Sequence, residues 1–217
     1  MAGRRLQHVG EHLLLDVNML KRKSAGFTLM EMMITLVIFI ALVAISIPSM
    51  RSLWQNNQLR TSADSLLSGA QIAKSEAMKR NARVYFFLTS TLSSDCVLGS
   101  DSRFWVVSLA PPNGMCEVFP SPTIAPQIIQ TGRLADVTGN ITVNATDSAN
   151  SAAYAVGFNG SGFVANNADA SSSITNIDVD APKMGTDAHQ LRIQVSSSGR
   201  IKMCSIGADA GDARACD

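Results

Sequence analysis

At 217 residues the chain has room for one ordinary domain and an appendage, which excludes a pair of large domains. The formal net charge of +1 divides into +3 over residues 1–26 (five Lys/Arg, two acids) and −2 over the remainder (thirteen Lys/Arg, fifteen acids), so a polyanion would need a local patch rather than an overall field. The hydrophobic fraction of 46% is uneven: much of it lies between Phe27 and Ile47, whereas Asn144–Ser173 is mostly Ser, Ala, Asn, Gly and Asp.

The first element in chain order is apolar. Met32–Ile47 (MMITLVIFIALVAISI) runs sixteen residues without a charge, and with FTLM before Glu31 it approaches the ~20 residues that cross a bilayer core as a helix. Lys21, Arg22 and Lys23 lie just upstream, which keeps the N-terminus cytoplasmic and sends the rest outward. A secretory signal also begins with basic residues and an apolar run, with Ala44-Ile45-Ser46 as a small-residue cleavage site, but it does not place an acid at the start of that run. A plain single-pass anchor leaves Glu31 unexplained, because an acid inside an apolar span costs several kcal/mol unless partnered.

The whole string KRKSAGFTLMEMMITLVIFIALVAISIP resembles the signature of the type IV prepilin family. That resemblance implies cleavage between Gly26 and Phe27 by a prepilin peptidase and methyltransferase, N-methylation of Phe27, and a role for Glu31 as the assembly charge. It also implies a helix-bending Pro48. Gly26 leaves the scissile carbonyl without an obstructing side chain. In an apolar filament core, Glu31 of an incoming subunit would pair with the Phe27 amine of a neighbour, and an unpaired Glu31 would be costly. Residues 1–26 read as a cytoplasmic leader. Met19 begins MLKRKSAG, an eight-residue leader of the usual size for the class, so Met19 is the expected start and a long leader from Met1 the alternative.

Beyond Pro48, helical spacing resumes through Met50, Leu53, Trp54, Ala63, Leu66, Leu67, Ala70, Ala73 and Ala77. The spacing predicts one long helix over residues 27–83, transmembrane over 27–47, whose second half packs on a head. From residue 84 to 217 the texture is β-like. Short runs stand at Arg83–Leu88, Arg103–Leu109, Ile141–Val143, Tyr154–Phe158, Gly162–Val164, Ile174–Val179, Gln190–Val195 and Arg200–Cys204. Asn159-Gly160 signals a tight hairpin, and Pro120 and Pro122 make Glu117–Phe119 an edge or irregular segment. The fold expected is α+β: a long N-terminal helix packed against a head of antiparallel β-sheet.

Cys96, Cys116, Cys204 and Cys216 all lie in the head, which the topology places in the periplasm, where disulfides persist. Four cysteines allow three pairings, and short loops favour Cys96–Cys116 and Cys204–Cys216. A metal site is the weaker reading: there is no C-x-x-C, and after Gly26 the chain has a single histidine, His189. Asp178 and Asp180 could suggest calcium, but alternate strand acids are more often a solvated face. No nucleophile elbow, phosphate loop or dinucleotide turn is present, so neither an enzyme nor a cofactor is expected.

The C-terminal VSSSGRIKMCSIGADAGDARACD and the helical segment RTSADSLLSGAQIAKSEAMKRNARV, with its Ala73-Lys74-Ser75-Glu76-Ala77, resemble the FimT/FimU minor pilins of the GspH/FimT group. That resemblance implies a two-sheet, pilin-like head and a minor pilin that primes or caps the pilus beside other pilins. It places the protein at the bacterial inner membrane and then the pilus tip. The alternatives are a minor pseudopilin of type II secretion and a DNA-binding minor pilin for natural transformation. For the last, Gly199-Arg200-Ile201-Lys202 is close to the group's G-R-x-R motif. Arg200 and Lys202 on one strand face, Arg192 on a nearby run and Arg214 on the tail would contact the phosphates of double-stranded DNA. Against it, Lys202 lacks the forked geometry of arginine, and Asp209, Asp212 and Asp217 dilute the patch.

Overall fold

The structure, a computed structural model, describes residues 26–135, 140–182, 190–209 and 211–216, without the side chains of residues 45–52. The leader through Ala25, His189 and Asp217 lie outside the described residues, as does the side chain of Pro48. Two compact units divide at Ile45 and Ser46.

A single helix, α1 (Leu29–Arg80), joins them in sequence. It starts at Thr28, whose Oγ1 accepts a hydrogen bond from the Glu31 amide at 3.2 Å. With Glu31 three residues past the cap, Thr28-x-x-Glu31 has the pattern of a capping box, and the acid meets the positive end of the helix. The helix stops where Asn81 turns left-handed (φ 48°). The Ala82 and Asn81 amides then close on the Ala77 and Met78 carbonyls at 3.2 and 3.3 Å, a Schellman termination.

In the second unit α1 buries a stripe of Leu59, Ala63, Leu66, Ala70, Ala73 and Ala77. Intervals of three and four keep these on one face, and the alanines let a sheet approach closely. One sheet has the order β3–β2–β1–β5–β6, formed by β1 (Val84–Thr89), β2 (Phe104–Ser108), β3 (Ile128–Arg133), β5 (Ala155–Phe158) and β6 (Val164–Ala165). The other has the order β4–β7–β8–β9, formed by β4 (Thr142–Thr146), β7 (Asn176–Asp180), β8 (Leu191–Val195) and β9 (Ile201–Ser205). All strand pairs are antiparallel. The helix and both sheets share one core: Phe86, Leu88, Trp105 and Phe158 from the first sheet meet Val143, Ile177, Val179 and Ile193 from the second. The fold is α+β.

Strand β1 is buried along its whole length, because its second face is covered too. Tyr85 and Phe87 pack with Ala155 there, and Val106 and Ile128 pack against Cys96 and Cys116. The Cys96–Cys116 disulfide thus staples loops over the back of the first sheet rather than closing an idle surface loop.

Two details differ from the sequence reading. Strand β3 has no counterpart among the expected runs; its Gly132 sits under the Trp105 indole, where a Cβ would overlap the ring. The Asn159-Gly160 hairpin is not a two-residue turn, since Phe158 pairs with Val164 across five residues. The Asn159 side chain holds this loop by accepting from the Ser161 and Phe163 amides, both at 3.0 Å.

Candidate functional site

The N-terminal unit presents a charge-poor apolar surface. Phe27 is 72% exposed, and the large apolar side chains from Leu29 to Val43 stand outward on every side of the helix, as they would for lipid or neighbouring helices. A Cβ built on Gly26 meets nothing within 4 Å, so the chain's own packing does not demand glycine there. Among the described residues no helix is long and apolar enough to cross a membrane. The apolar string passes Ala44 into Ile45 and Ile47, whose side chains are not described. The helical backbone continues through Pro48.

In the head, strand alternation sorts the second sheet into an apolar inner face and a polar outer one. Register aligns the outer residues in two cross-strand rows: Asn144, Asp178, Arg192 and Cys204, then Thr146, Asn176, Gln194 and Lys202. In the first row Arg192 donates to both Asp178 oxygens, from Nε at 2.6 Å and Nη2 at 2.8 Å. The bidentate fork pushes the Arg192 pKa up further. On the tail, Arg214 grips Asp212 with Nη2 at 2.7 Å. This contact, with the Arg214 amide, holds the Asp212 carboxyl down to about 2. Arg192 and Arg214, both candidates for DNA, are therefore engaged by carboxylates within their own fold.

Arg200 and Lys202 are placed differently. They lie at the start of β9, beside a cleft also lined by Asn176, Gln194, Ser196 and Ser198. The β8–β9 turn is locked: the Ser196 amide donates to the Arg200 carbonyl at 3.0 Å, the Gly199 amide to the Ser196 carbonyl at 2.8 Å, and the Arg200 amide to Ser196 Oγ at 3.1 Å. From α1, Lys74 Nζ donates to the Gly199 carbonyl at 2.9 Å. The Val164 amide of β6 donates to the Ser197 carbonyl at 3.1 Å. Lys74 of the A-K-S-E-A segment thus ties the helix to the turn carrying Gly199-Arg200, a link that spans 125 positions and that sequence spacing does not reveal. Glu76 of the same segment receives Arg80 Nε at 2.8 Å and Lys79 Nζ at 3.2 Å; the Arg80 bond above all lowers its pKa.

The tail is fixed by the Cys204–Cys216 disulfide. Beside it, the Ser205 amide donates to the Arg214 carbonyl at 2.7 Å. Asp180 Oδ2 accepts from Gln190 at 2.9 Å, and among the described residues no three His, Cys, Asp or Glu side chains gather as a metal site.

Residues 62–199 match the family model for type II transport protein GspH, well over half of the chain. The chain belongs to the GspH family. Residues 21–47 match the prokaryotic N-terminal methylation motif, which contains Gly26, Phe27 and Glu31 and makes this GspH member a membrane-anchored protein of the prepilin class. Two crystal structures of the type IV minor pilin FimU of Pseudomonas aeruginosa (strain PAO1) are similar in fold. They are 12% and 14% identical over 68% and 70% of this chain, cover 97% and 96% of their own, and give TM-scores of 0.42 and 0.43, too distant to argue from. No curated protein matches the chain.

Proposed function

We propose that this GspH-family chain is a minor type IV pilin that primes or caps pilus assembly. The observation that carries the proposal is the joining of two parts by one helix. A methylation motif and an outward-facing apolar run occupy its beginning, and the central core stripe of a GspH head occupies its end. In this reading a prepilin peptidase removes the leader at Gly26 and Phe27 is N-methylated. Residues 27–47 cross the inner membrane once, with the N-terminus cytoplasmic and the head periplasmic.

Once the amine of Phe27 is exposed, Glu31 acts as a docking charge. Withdrawn into an apolar filament core, its carboxylate is stabilised only beside a cation, and a neighbour's Phe27 amine supplies one. Docking one step out of register would leave the acid buried and unpaired. The work is structural: the chain is a substrate of processing enzymes and packs against other pilins. The disulfide-closed tail favours the pilus over type II secretion, following the resemblance of the C-terminal segment to FimT/FimU minor pilins. Duplex DNA gains no support as a ligand, because Arg192 and Arg214 are already held by Asp178 and Asp212.

Deleting the gene and scoring piliation, protein secretion and DNA uptake separately tests the proposal. Lost pili with normal secretion are expected. Normal pili with lost secretion would assign the protein to the secretion machinery instead.

A further inference from the structure

The helical spacing that groups Leu53 and Trp54 with the later core residues does not put them in the core. Leu59, Ala63, Leu66 and Ala70 are buried, whereas Leu53 is 63% and Trp54 68% exposed. At about 3.6 residues per turn, the two together lie about half a turn round α1 from the buried stripe, on the side opposite the sheets. The patch is short. Farther along the same outward side stand Asn57, Thr61 and Asp64, all exposed and polar. Apolar surface therefore covers one turn of this side and stops. A neighbouring helix packed along this part of α1 would need an apolar stripe over successive turns. One turn suits a thin layer that crosses the helix.

The distance from the apolar run fits such a layer. α1 continues from Ile47, where the charge-free run ends, to Trp54, seven residues or about 10 Å on. The headgroup region of a bilayer adds about 5–8 Å on each side of its hydrocarbon core. Side chains on a helix lean toward its N-terminus, so the Trp54 indole covers the turn before its own Cα and falls at that level. In the sequence, Arg51 stands between Ile47 and Trp54 as the first charge after Glu31, in keeping with the lipid phosphates there.

We propose that Leu53 and Trp54 form an anchor that docks in the headgroup layer of the periplasmic leaflet before the subunit enters a filament. Indole suits that layer, since its ring takes the apolar side and its N–H donates to a phosphate or ester oxygen. Anchored there, the apolar run resists sliding through the bilayer. This anchor presupposes the reading of residues 27–47 as a single membrane crossing.

The full chain is reconstituted into phosphatidylcholine vesicles whose acyl chains are brominated either beside the headgroup or near the chain end. Flotation with the vesicles reports insertion of the apolar run. Emission from Trp54 is the difference between the parent and Trp54→Phe, and Trp105, 4% exposed in the head core, is the internal control. Bromine beside the headgroup is expected to remove most of the Trp54 emission and bromine near the chain end less of it, with Trp105 unquenched. Thr61→Trp combined with Trp54→Phe moves the indole about two turns farther from the membrane and should escape both labels. A chain that floats while Trp54 is quenched no more than Trp105 overturns the anchor and leaves the membrane crossing intact, with the face reserved for a neighbouring pilin instead. Strongest quenching by the deep bromine, or equal quenching in the Thr61→Trp chain, also overturns it. A chain that fails to float overturns the anchor and the membrane crossing together.

Discussion

Gly199 offers the sharpest test of how the head is held together. Its φ is +74°, and a Cβ there would fall onto the carbonyl oxygen of Gly162 in the facing turn. Gly207 serves as its control, with φ of +80° and nothing within 4 Å of a built Cβ. Alanine at Gly207 meets only the left-handed backbone penalty, about 1 kcal/mol. Alanine at Gly199 meets that penalty and also drives the two turns apart. Lost with that separation are the Lys74–Gly199 bond, worth about 1.5–3 kcal/mol because its donor is charged, and the Val164–Ser197 bond, worth about 1 kcal/mol. The total for Gly199→Ala is then about 3–5 kcal/mol. At ~2–4 °C per kcal/mol for a unit of this size, Tm should fall by ~6–20 °C, against ~2–4 °C for Gly207→Ala. Fluorescence of the full chain in micelles can follow the melt, since Trp105 is 4% exposed and reports the core while Trp54, 68% exposed, supplies a background. Lys74→Met removes the charged donor alone and should lie between the two glycine variants. Equal shifts for Gly199→Ala and Gly207→Ala would refute the claim that contact between the turns braces the sheets.

Trp105→Phe should cost about 1–3 kcal/mol, because it removes the Nε1–H donation to Ser65 Oγ at 3.0 Å and empties the space over Gly132; a denaturant titration checks it. Replacing Cys204 and Cys216 together with serine opens a loop of sequence separation 12, lowering stability by at most ~3 kcal/mol and exposing the tail to limited proteolysis while the core strands stay protected. Acid should weaken the end of the helix. Arg80 and Lys79 hold the folded pKa of Glu76 below its ordinary 4.5, so their contribution is present above pH 4.5 and lost as pH falls through the lower folded value. The effect is a few tenths of a kcal/mol for each helical pair, and melts across that interval should show a smaller acid shift in Glu76→Gln than in the parent chain.

The sequence was most readable where one physical signal acts alone. The 3.6-residue spacing of Leu66, Ala70, Ala73 and Ala77 marks the buried helix face, and runs such as VYFFL and FWVVS mark strands whatever they pair with. β3 escaped because its residues are chosen by a neighbour: Gly132 weakens strand propensity, yet only glycine fits beneath Trp105. The hairpin after Phe158 widened for a related reason, since Asn159 uses its side chain to cap a longer loop. Charge partners were the least readable. Arg192 and Asp178 are fourteen residues apart, and only the register of β7 on β8 makes them opposite. Lys74 and Gly199 lie in separate motifs whose contact exists only once both sheets have closed on the helix.

Intact mass spectrometry of this chain recovered from the sheared pilus fraction tests the central claim most directly. The account requires one species whose mass equals residues 27–217 plus a single methyl group, with a fragment ladder placing that methyl on the Phe27 amine and two disulfides still formed. Recovery from the membrane only, as the uncleaved chain or with a cut elsewhere than after Gly26, would contradict it.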